Sequence, residues 1–305
     1  MTLKIGFVLL THDKPQQALR LVGTLNAMFG APSIVWHHDF SRCEFPLDAI
    51  PKNASLVQPH LQTAWGRFSL VEAMLKALEL LFRPNDAPDW FVLLSGACYP
   101  IKPTDKILND LLQSPYDAHI AHEPIRYNDY ARPWQRTCYE RYCGAQLRVT
   151  ALSRRSGAAT RDIRVWDLKL AGPFLPFSET LSCFAGEQWF CANRAAAEYL
   201  LEFHQAGPAL ADHFRRLDPH VIVPDESYYQ TILCNAPHLR ISNNHRRYID
   251  WETHGGRRVK ILLMEDLPKL RDSTAHFARK FDANHDAAVL DALDADILPG
   301  RVAAA

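Results

Sequence analysis

The sequence predicts an α/β fold built on a largely parallel sheet. Through the first half of the chain, short apolar runs alternate with amphipathic helical stretches, and that alternation implies right-handed crossovers between parallel neighbours. Two of the runs end in polar or glycine-containing segments, His38-Asp39 and Ser95-Gly96. In such sheets ligands sit beyond the carboxyl ends of the strands. A nucleotide-type ligand at that edge is the first expectation, although fold alone decides no chemistry.

Each element has its own signal. Residues 4–10 form an apolar run long enough for a buried strand and too short for a helix. Asp13 is placed to cap the next helix, with Pro15 and Gln16 in its first turn, and Ala18, Val22, Leu25 and Phe29 share one face. A second strand covers 33–36 and runs into His37-His38-Asp39. Ser69 and Glu72 have capping-box spacing, and a broad apolar stripe from Leu70 to Phe82 follows. Strands over 90–94 and 118–121 flank a helix over 104–113.

From 126 to 169 the pattern becomes irregular, with ten basic residues against four acidic ones, a local charge of +6. Residues 153–160 read as the tip of a loop. Regularity returns in a helix over 194–206, capped by Asn193 and stopped by Gly207-Pro208, and another helix begins at Pro224-Asp225-Glu226. The chain after Phe281 is acidic and alanine-rich, and there is no internal repeat.

Composition narrows the function classes. Apolar residues make up 48% and charged residues 22%, the balance of a folded protein. Lys plus Arg and Asp plus Glu are both 34, which argues against a nucleic-acid partner. No apolar run approaches the ~18 residues of a spanning helix, and the N-terminus lacks a signal-peptide pattern. Seven cysteines without a C-x-x-C pair read as reduced thiols, not as a disulfide framework or a zinc site. The expectation is a cytoplasmic protein, at most peripheral at the inner face of a membrane.

The common nucleotide, metalloprotease and nucleophile-elbow motifs are absent. The only D-x-D is Asp294-Ala295-Asp296, away from any strand end, so a metal-held diphosphate lacks its usual carboxylates. Four clusters stand out instead. His38-Asp39 is either a ligand site or a strand-ending turn. Trp65-Gly66-Arg67-Phe68-Ser69-Leu70 is a glycine turn feeding a helix, and Asp225 and Glu226 suit either helix capping or proton transfer. Arg257-Arg258 with Phe277-Ala278-Arg279-Lys280-Phe281 sets basic pairs among apolar residues, as a phosphate clamp or as surface cations.

Taken in order, eight segments resemble the core-2/I-branching β-1,6-N-acetylglucosaminyltransferase and peptide xylosyltransferase family. They are Thr11-His12-Asp13-Lys14-Pro15, His38-Asp39, the Trp65–Leu70 segment and Leu93-Leu94-Ser95-Gly96-Ala97-Cys98-Tyr99-Pro100-Ile101. Gly186-Glu187-Gln188-Trp189-Phe190, Pro224-Asp225-Glu226-Ser227, Arg247-Tyr248-Ile249-Asp250-Trp251 and Phe277-Ala278-Arg279-Lys280-Phe281-Asp282 complete the set.

The resemblance implies a GT-A type glycosyltransferase with a modified Rossmann-like nucleotide-binding sheet. Residues 1–282 would be its single catalytic domain, 126–170 an irregular basic insertion on the acceptor side, and 283–305 a tail. It further implies inverting transfer of GlcNAc or xylose from a UDP-sugar to a hydroxyl of a glycan or lipid-linked saccharide, with no divalent metal and no cofactor. Cations can replace the metal on the leaving diphosphate. By the same carry-over, Glu226 is the general base and Lys280 binds the diphosphate, with Arg279 and one of Arg257 and Arg258. Asp39 holds the uridine, and Arg67, Ser95, Gly96, Glu187, Gln188, Trp189 and Trp251 line the donor and acceptor pocket. Two departures matter: Cys98 stands where many relatives have Asp, and Gln188 where xylosyltransferases have Asp. Glu187 is then a second candidate carboxylate. The competing readings are a non-catalytic glycan- or nucleotide-sugar-binding module of the same fold and a metal hydrolase centred on His37, His38 and Asp39.

Overall fold

Strand β1 (Ile5–Thr11) is buried at every position, as an uninterrupted apolar run requires, and it lies inside the sheet. The computed structural model describes residues 3–83, 85–126, 132–153, 157–165, 175–218, 222–251 and 258–298. After β1 come α1 (Pro15–Phe29), β2 (Ser33–His38), β3 (Ala54–Leu56), α2 (Phe68–Phe82), β4 (Trp90–Ser95), β5 (Tyr99–Pro100), α3 (Thr104–Leu112), β6 (Ala118–His119) and β7 (Glu123–Pro124). The middle of the chain supplies α4 (Pro133–Tyr142), β8 (Ala145–Ser153), β9 (Gly157–Val165), β10 (Phe184–Ala185), β11 (Cys191–Asn193), α5 (Arg194–Ala206) and α6 (Pro208–Leu217). The last elements are α7 (Tyr228–Cys234), β12 (Ile241–Ser242), β13 (Arg247–Ile249), α8 (Leu267–Asp272), β14 (Phe277–Arg279) and α9 (Ala288–Ile297).

Seven strands form the main sheet in the order β12-β6-β11-β4-β1-β2-β3. β1 runs parallel to β2 and β4, and only β11 is reversed against its neighbours. This mostly parallel sheet with helices on both faces is the GT-A type architecture. Side chains alternate across β1: Val8 and Leu10 join the core with α2 and α5, whereas Phe7 and Leu9 join the core with α1 and α9. Truncating a buried ring such as Phe7 to Ala would cost about 3–5 kcal/mol. The register sets Thr11 opposite His38 and Leu10 opposite Ser95, so three strands end level, at one edge. A second sheet, β13-β14-β5, brings the end of β14 towards the same region.

Several local expectations are corrected. Helix α1 is not capped by Asp13; the capping position is Lys14, in the left-handed region at φ 47° and with no side-chain cap, followed by Pro15. Lys14 instead pairs with Asp282 at 2.5 Å, tying the first helix to the segment after β14. The Ser69–Glu72 capping box does not form. Helix α2 starts at Phe68, whose N–H is capped by Asp218 Oδ1 at 2.6 Å, while Ser69 Oγ turns back to accept from Ala64 N and Glu72 pairs with Arg215 at 2.9 Å.

Where it is described, the basic stretch is regular: it holds α4 and the antiparallel pair β8–β9, in register from Ala145↔Val165 to Ser153↔Gly157. Val149, Thr150, Thr160, Ile163 and Val165 all favour extended backbone, a preference hidden among the arginines. Of the expected loop tip, 154–156 lie outside the described residues. Asn193 caps α5 as expected, accepting from Ala196 N at 3.0 Å. Within 283–305, set apart as a tail, α9 buries Val289, Leu290, Leu293 and Ile297 in the α1-side core. Its Asp294 accepts from the hydroxyl of Tyr99 at 2.7 Å and pairs with Arg20 at 2.8 Å.

Candidate active site

The predicted clusters meet in a ring of contacts at the strand-end edge of the sheet. Asp39 N donates to Thr11 O at 2.9 Å, which places the carboxylate just past the ends of β1 and β2. One carboxylate oxygen accepts from Ser41 N (3.1 Å) and Ser41 Oγ (2.6 Å), and the other from Thr63 N (2.7 Å) and Thr63 Oγ1 (2.9 Å). Burial alone would raise its pKa, but these four bonds outweigh burial and hold it near 2. All the acceptor positions of Asp39 are therefore used within the protein.

Thr63 leads into the Trp65-Gly66-Arg67 turn. Gly66, at φ 73°, occupies a backbone conformation that other residues adopt only under strain. Its carbonyl accepts from Ile222 N at 3.2 Å and Val223 N at 3.1 Å, and the Arg67 guanidinium donates to the Asp218 carbonyl. Arg67 thus fastens two chain segments together, and Trp65 is left 70% exposed. Directly after Val223, Pro224–Glu226 forms a single 3₁₀ turn ahead of α7.

Neither carboxylate in that turn caps a helix. Asp225 is buried and, among the described residues, its Oδ1 has no hydrogen-bond partner and no side chain caps the turn or α7. Glu226 is fixed through its backbone: its carbonyl accepts from Gly186 N at 2.8 Å. That contact needs glycine, since a Cβ at 186 would lie 1.8 Å from the carbonyl oxygen of Ala121. The loop carrying Glu187 is held again by Gln230 Nε2, which donates to Glu187 O at 2.9 Å, and by Ser227 Oγ, which donates to Phe184 O at 2.7 Å.

Three carboxyl groups are therefore gathered with few donors. Burial pushes Glu226 up to about 8, with further increments from Asp225 and Glu187, and the charges of Arg141 and Arg279 oppose the rise. Burial likewise lifts Asp225 to about 6 and raises Glu187. The Glu226 side chain keeps a third of its surface open to solvent and lies 3.6 Å from Arg141 at the end of α4. A carboxylate that is reachable, fixed in place and tuned to near-neutral pH can accept a proton from a hydroxyl.

The ring closes through β14. Arg279 lies over the indole of Trp189 at 4.5 Å, with its Nε buried and without an acceptor. Lys280 is exposed and, among the described residues, pairs with no carboxylate. Phe281 N donates to Ala97 O at 2.9 Å, and Gln17 Nε2 donates to both Gly96 O (2.8 Å) and Phe281 O (3.1 Å). A Cβ on Gly96 would press 3.2 Å from Thr11 Cγ2, so the Ser95-Gly96 bend packs on the end of β1. Leu262 N donates to Lys280 O at 2.9 Å, bringing the 258–262 segment alongside.

Of the remaining expected residues, Gln188 is half-buried beside Trp189, Arg258 is exposed, and Trp251 is 42% exposed and forms a bridge with Val259. Arg257 lies outside the described residues. Sequence reasoning missed Arg141 and Gln17. Arg141 was one basic residue among ten, and Gln17 was one polar position on an amphipathic helix; neither had a spacing signal. His37, proposed as a metal ligand in one competing reading, accepts from Leu61 N at 3.0 Å and is held near 4 by burial. Among the described residues, no three His, Cys, Asp or Glu side chains converge on a metal-sized site.

The family model described as "Core-2/I-Branching enzyme" matches residues 6–271. The chain belongs to the Core-2/I-branching enzyme family. Xylosyltransferase 1 of Homo sapiens is 23% identical over 322 residues, covering 95% of this chain and 30% of that protein. The beta-glucuronosyltransferase GlcAT14B of Arabidopsis thaliana is 23% identical over 237 residues, covering 75% of this chain and 49% of its own length. The xylosyltransferase oxt of Drosophila melanogaster is 24% identical over 314 residues, covering 94% of this chain and 32% of that protein. The chain thus spans a third to a half of the length of these relatives. It is a glycosyltransferase-family domain, and among its described residues no helix is long and apolar enough to cross a membrane.

Proposed function

We propose that this domain transfers a sugar from a UDP-sugar to a hydroxyl of a glycan or lipid-linked saccharide, by a single inverting displacement that needs no divalent metal. The observation that carries the reading is the state of Glu226: fixed by Gly186, a third open to solvent, and raised to about 8 in company with Asp225 and Glu187. In this reading Glu226 takes the proton of the attacking hydroxyl, and Lys280 meets the charge that develops on the departing diphosphate. An exposed ammonium with no carboxylate partner among the described residues suits that task. Arg258 belongs to the stretch that reaches Lys280 through Leu262 and is a further cationic candidate, as is Arg257 from the sequence alone.

The names of the relatives favour xylose or glucuronic acid over GlcNAc as the first donors to try. Glu226 also weighs against the alternative of a non-catalytic binding module. A carboxyl group whose pKa is raised to about 8 costs stability at neutral pH, and a module that only holds its ligand has no need to keep it. The test is a donor screen of UDP-xylose, UDP-GlcNAc and UDP-glucuronic acid with glycan acceptors, with and without EDTA. Transfer that survives the chelator supports the reading. Activity abolished by EDTA overturns its metal-free part, and binding without any turnover favours the non-catalytic module.

A further inference from the structure

Arg279 and Lys280 are neighbours in sequence, yet the structure gives them different surroundings. Lys280 is exposed, and the next residue, Phe281, donates its N–H to Ala97 O. Arg279 is half-buried, flat against Trp189 at 4.5 Å. Trp189 follows Glu187 by two residues, and the loop they share is bonded to the Glu226 carbonyl through Gly186. The guanidinium is therefore attached, through its indole platform, to the segment that holds the carboxyl cluster. Its Nε–H is buried, so water screens that edge poorly and its charge acts on nearby carboxyls through a medium of low dielectric constant.

We propose that Arg279 is a positioning residue for the base, and that it leaves the diphosphate to Lys280: lying on Trp189, it sets the ionisation of the Glu226–Asp225–Glu187 cluster. This rests on the reading of Glu226 as the base. The groups facing Glu226 are Asp225 on its own turn, Glu187 on the loop after β10, Arg141, Cys138 and Tyr142 on α4, and Arg279 at the end of β14. Among them only Arg141 and Arg279 favour the ionised carboxylate. Arg141 reaches Glu226 directly at 3.6 Å. Arg279 is the cation shared by all three carboxyls, since its charge lowers Glu187, Asp225 and Glu226 alike.

Two measurements that need no turnover test this. One is the titration of Glu226 by carbon-13 carboxyl resonances, assigned by their loss in Glu226→Gln. The other is UDP affinity by calorimetry. In Arg279→Gln the Glu226 midpoint should rise, by less than in Arg141→Gln, whose charge lies 3.6 Å from the carboxyl, while Arg279→Lys, which keeps the charge, should stay near the starting value. UDP affinity should remain within about threefold in both, against a loss of about tenfold or more in Lys280→Ala. Arg279→Met keeps the aliphatic stem over Trp189 and repeats the experiment should the glutamine variant fail to fold. An unmoved midpoint, or a tenfold loss of UDP affinity in Arg279→Gln, would falsify the assignment. A shifted midpoint in a protein that transfers no sugar would keep Arg279 as the tuner and sink only the activity reading.

Discussion

Asp39 and Glu226 are both carboxylates at the same edge of the sheet, and the protein treats them in opposite ways. Asp39 is completely buried yet held near 2, because four donors from Ser41 and Thr63 saturate its oxygens. Glu226 keeps a third of its side chain open yet is raised to about 8, chiefly because burial disfavours its charge and, among the described residues, no hydrogen bond offsets that cost; Asp225 and Glu187 add to the rise and the Arg141 and Arg279 charges resist it. Donor supply, and not exposure, decides which carboxylate is inert and which is available for a proton. Asp39 holds two loops in place, and Glu226 is the carboxylate that the proposed reaction uses as its base.

The largest effect should come from breaking the reactive half of this pair. Glu226→Gln keeps size and backbone but removes the proton acceptor, so transfer should fall by about two to four orders of magnitude. UDP-sugar affinity should stay within a few fold. The same variant should be more stable than the parent at neutral pH. A carboxyl raised to about 8 in the fold and near 4.5 when unfolded is protonated in the native state while the unfolded chain is ionised. It therefore costs stability progressively as pH climbs from about 4.5 to 8, and glutamine removes that cost. Melting temperature, donor affinity and rate on the one variant check all three outcomes. An active Glu226→Gln alongside a dead Glu187→Gln would move the base to Glu187.

Next in size is Lys280→Ala. Loss of a preorganised charge at the leaving diphosphate should lower transfer roughly a hundredfold, about 3 kcal/mol, in a protein that still folds because the side chain is exposed. Near-normal turnover would remove Lys280 from the reaction. The comparison also sets a pH dependence. A base acts when ionised, so kcat/KM should rise with pH and level off above about 8. Arg141→Gln should push that limb higher by removing one of the two opposing charges. A profile flat from pH 6 to 9, a range that spans the expected midpoint, would mean that Glu226 does not titrate in the reaction.

Much of this arrangement was legible in the sequence, and what was missed has a common cause. The buried strand read over residues 4–10, the parallel sheet and the Asn193 cap follow from local patterns, and the structure reproduces them, with the strand at Ile5–Thr11. So does the placing of Asp39 and Ser95-Gly96 at one edge, whereas the arrival of Pro224–Glu226 there, through the bonds from Ile222 N and Val223 N to Gly66 O, had no local signal. The stitches between clusters were not legible, because Gln17 bonding to Phe281 or Gly66 bonding to Val223 joins residues far apart in the chain and leaves no periodicity. Capping was read wrongly for the same reason. Asp225 and Glu226 have the composition of a cap, and Asp13 and Ser69 have the spacing of one, yet tertiary contacts supplied other partners.

Asp39 provides the counterpart measurement on the inert half. With a folded value near 2 against an ordinary 3.8, its hydrogen bonds contribute about 2 kcal/mol. That contribution is fully present above pH ~4 and lost as pH falls through ~2. Asp39→Asn should forfeit most of it, with a lowered melting temperature at pH 7 and a smaller difference from the parent at acid pH. If stability were untouched and donor binding lost, Asp39 would be a ligand contact first and a loop anchor second.

The smallest effect separates two ways of starting helix α2. A capping box would make Ser69 the stabilising residue, and Ser69→Ala would cost about 1 kcal/mol while Asp218→Ala cost little. The structure reverses this. Asp218 Oδ1 takes the Phe68 N–H at 2.6 Å and sets a negative charge against the positive end of the helix dipole, whereas Ser69 Oγ makes one long bond to Ala64 N at 3.3 Å. Asp218→Ala should therefore cost about 1–2 kcal/mol, and Ser69→Ala a few tenths. Because Asp218 also accepts from Arg67 through its carbonyl, which alanine keeps, the Trp65–Arg67 turn should stay docked and turnover should survive. Equal costs for the two variants would show that neither cap governs the helix, and a loss of activity in Asp218→Ala would extend its role from the helix start to the site itself.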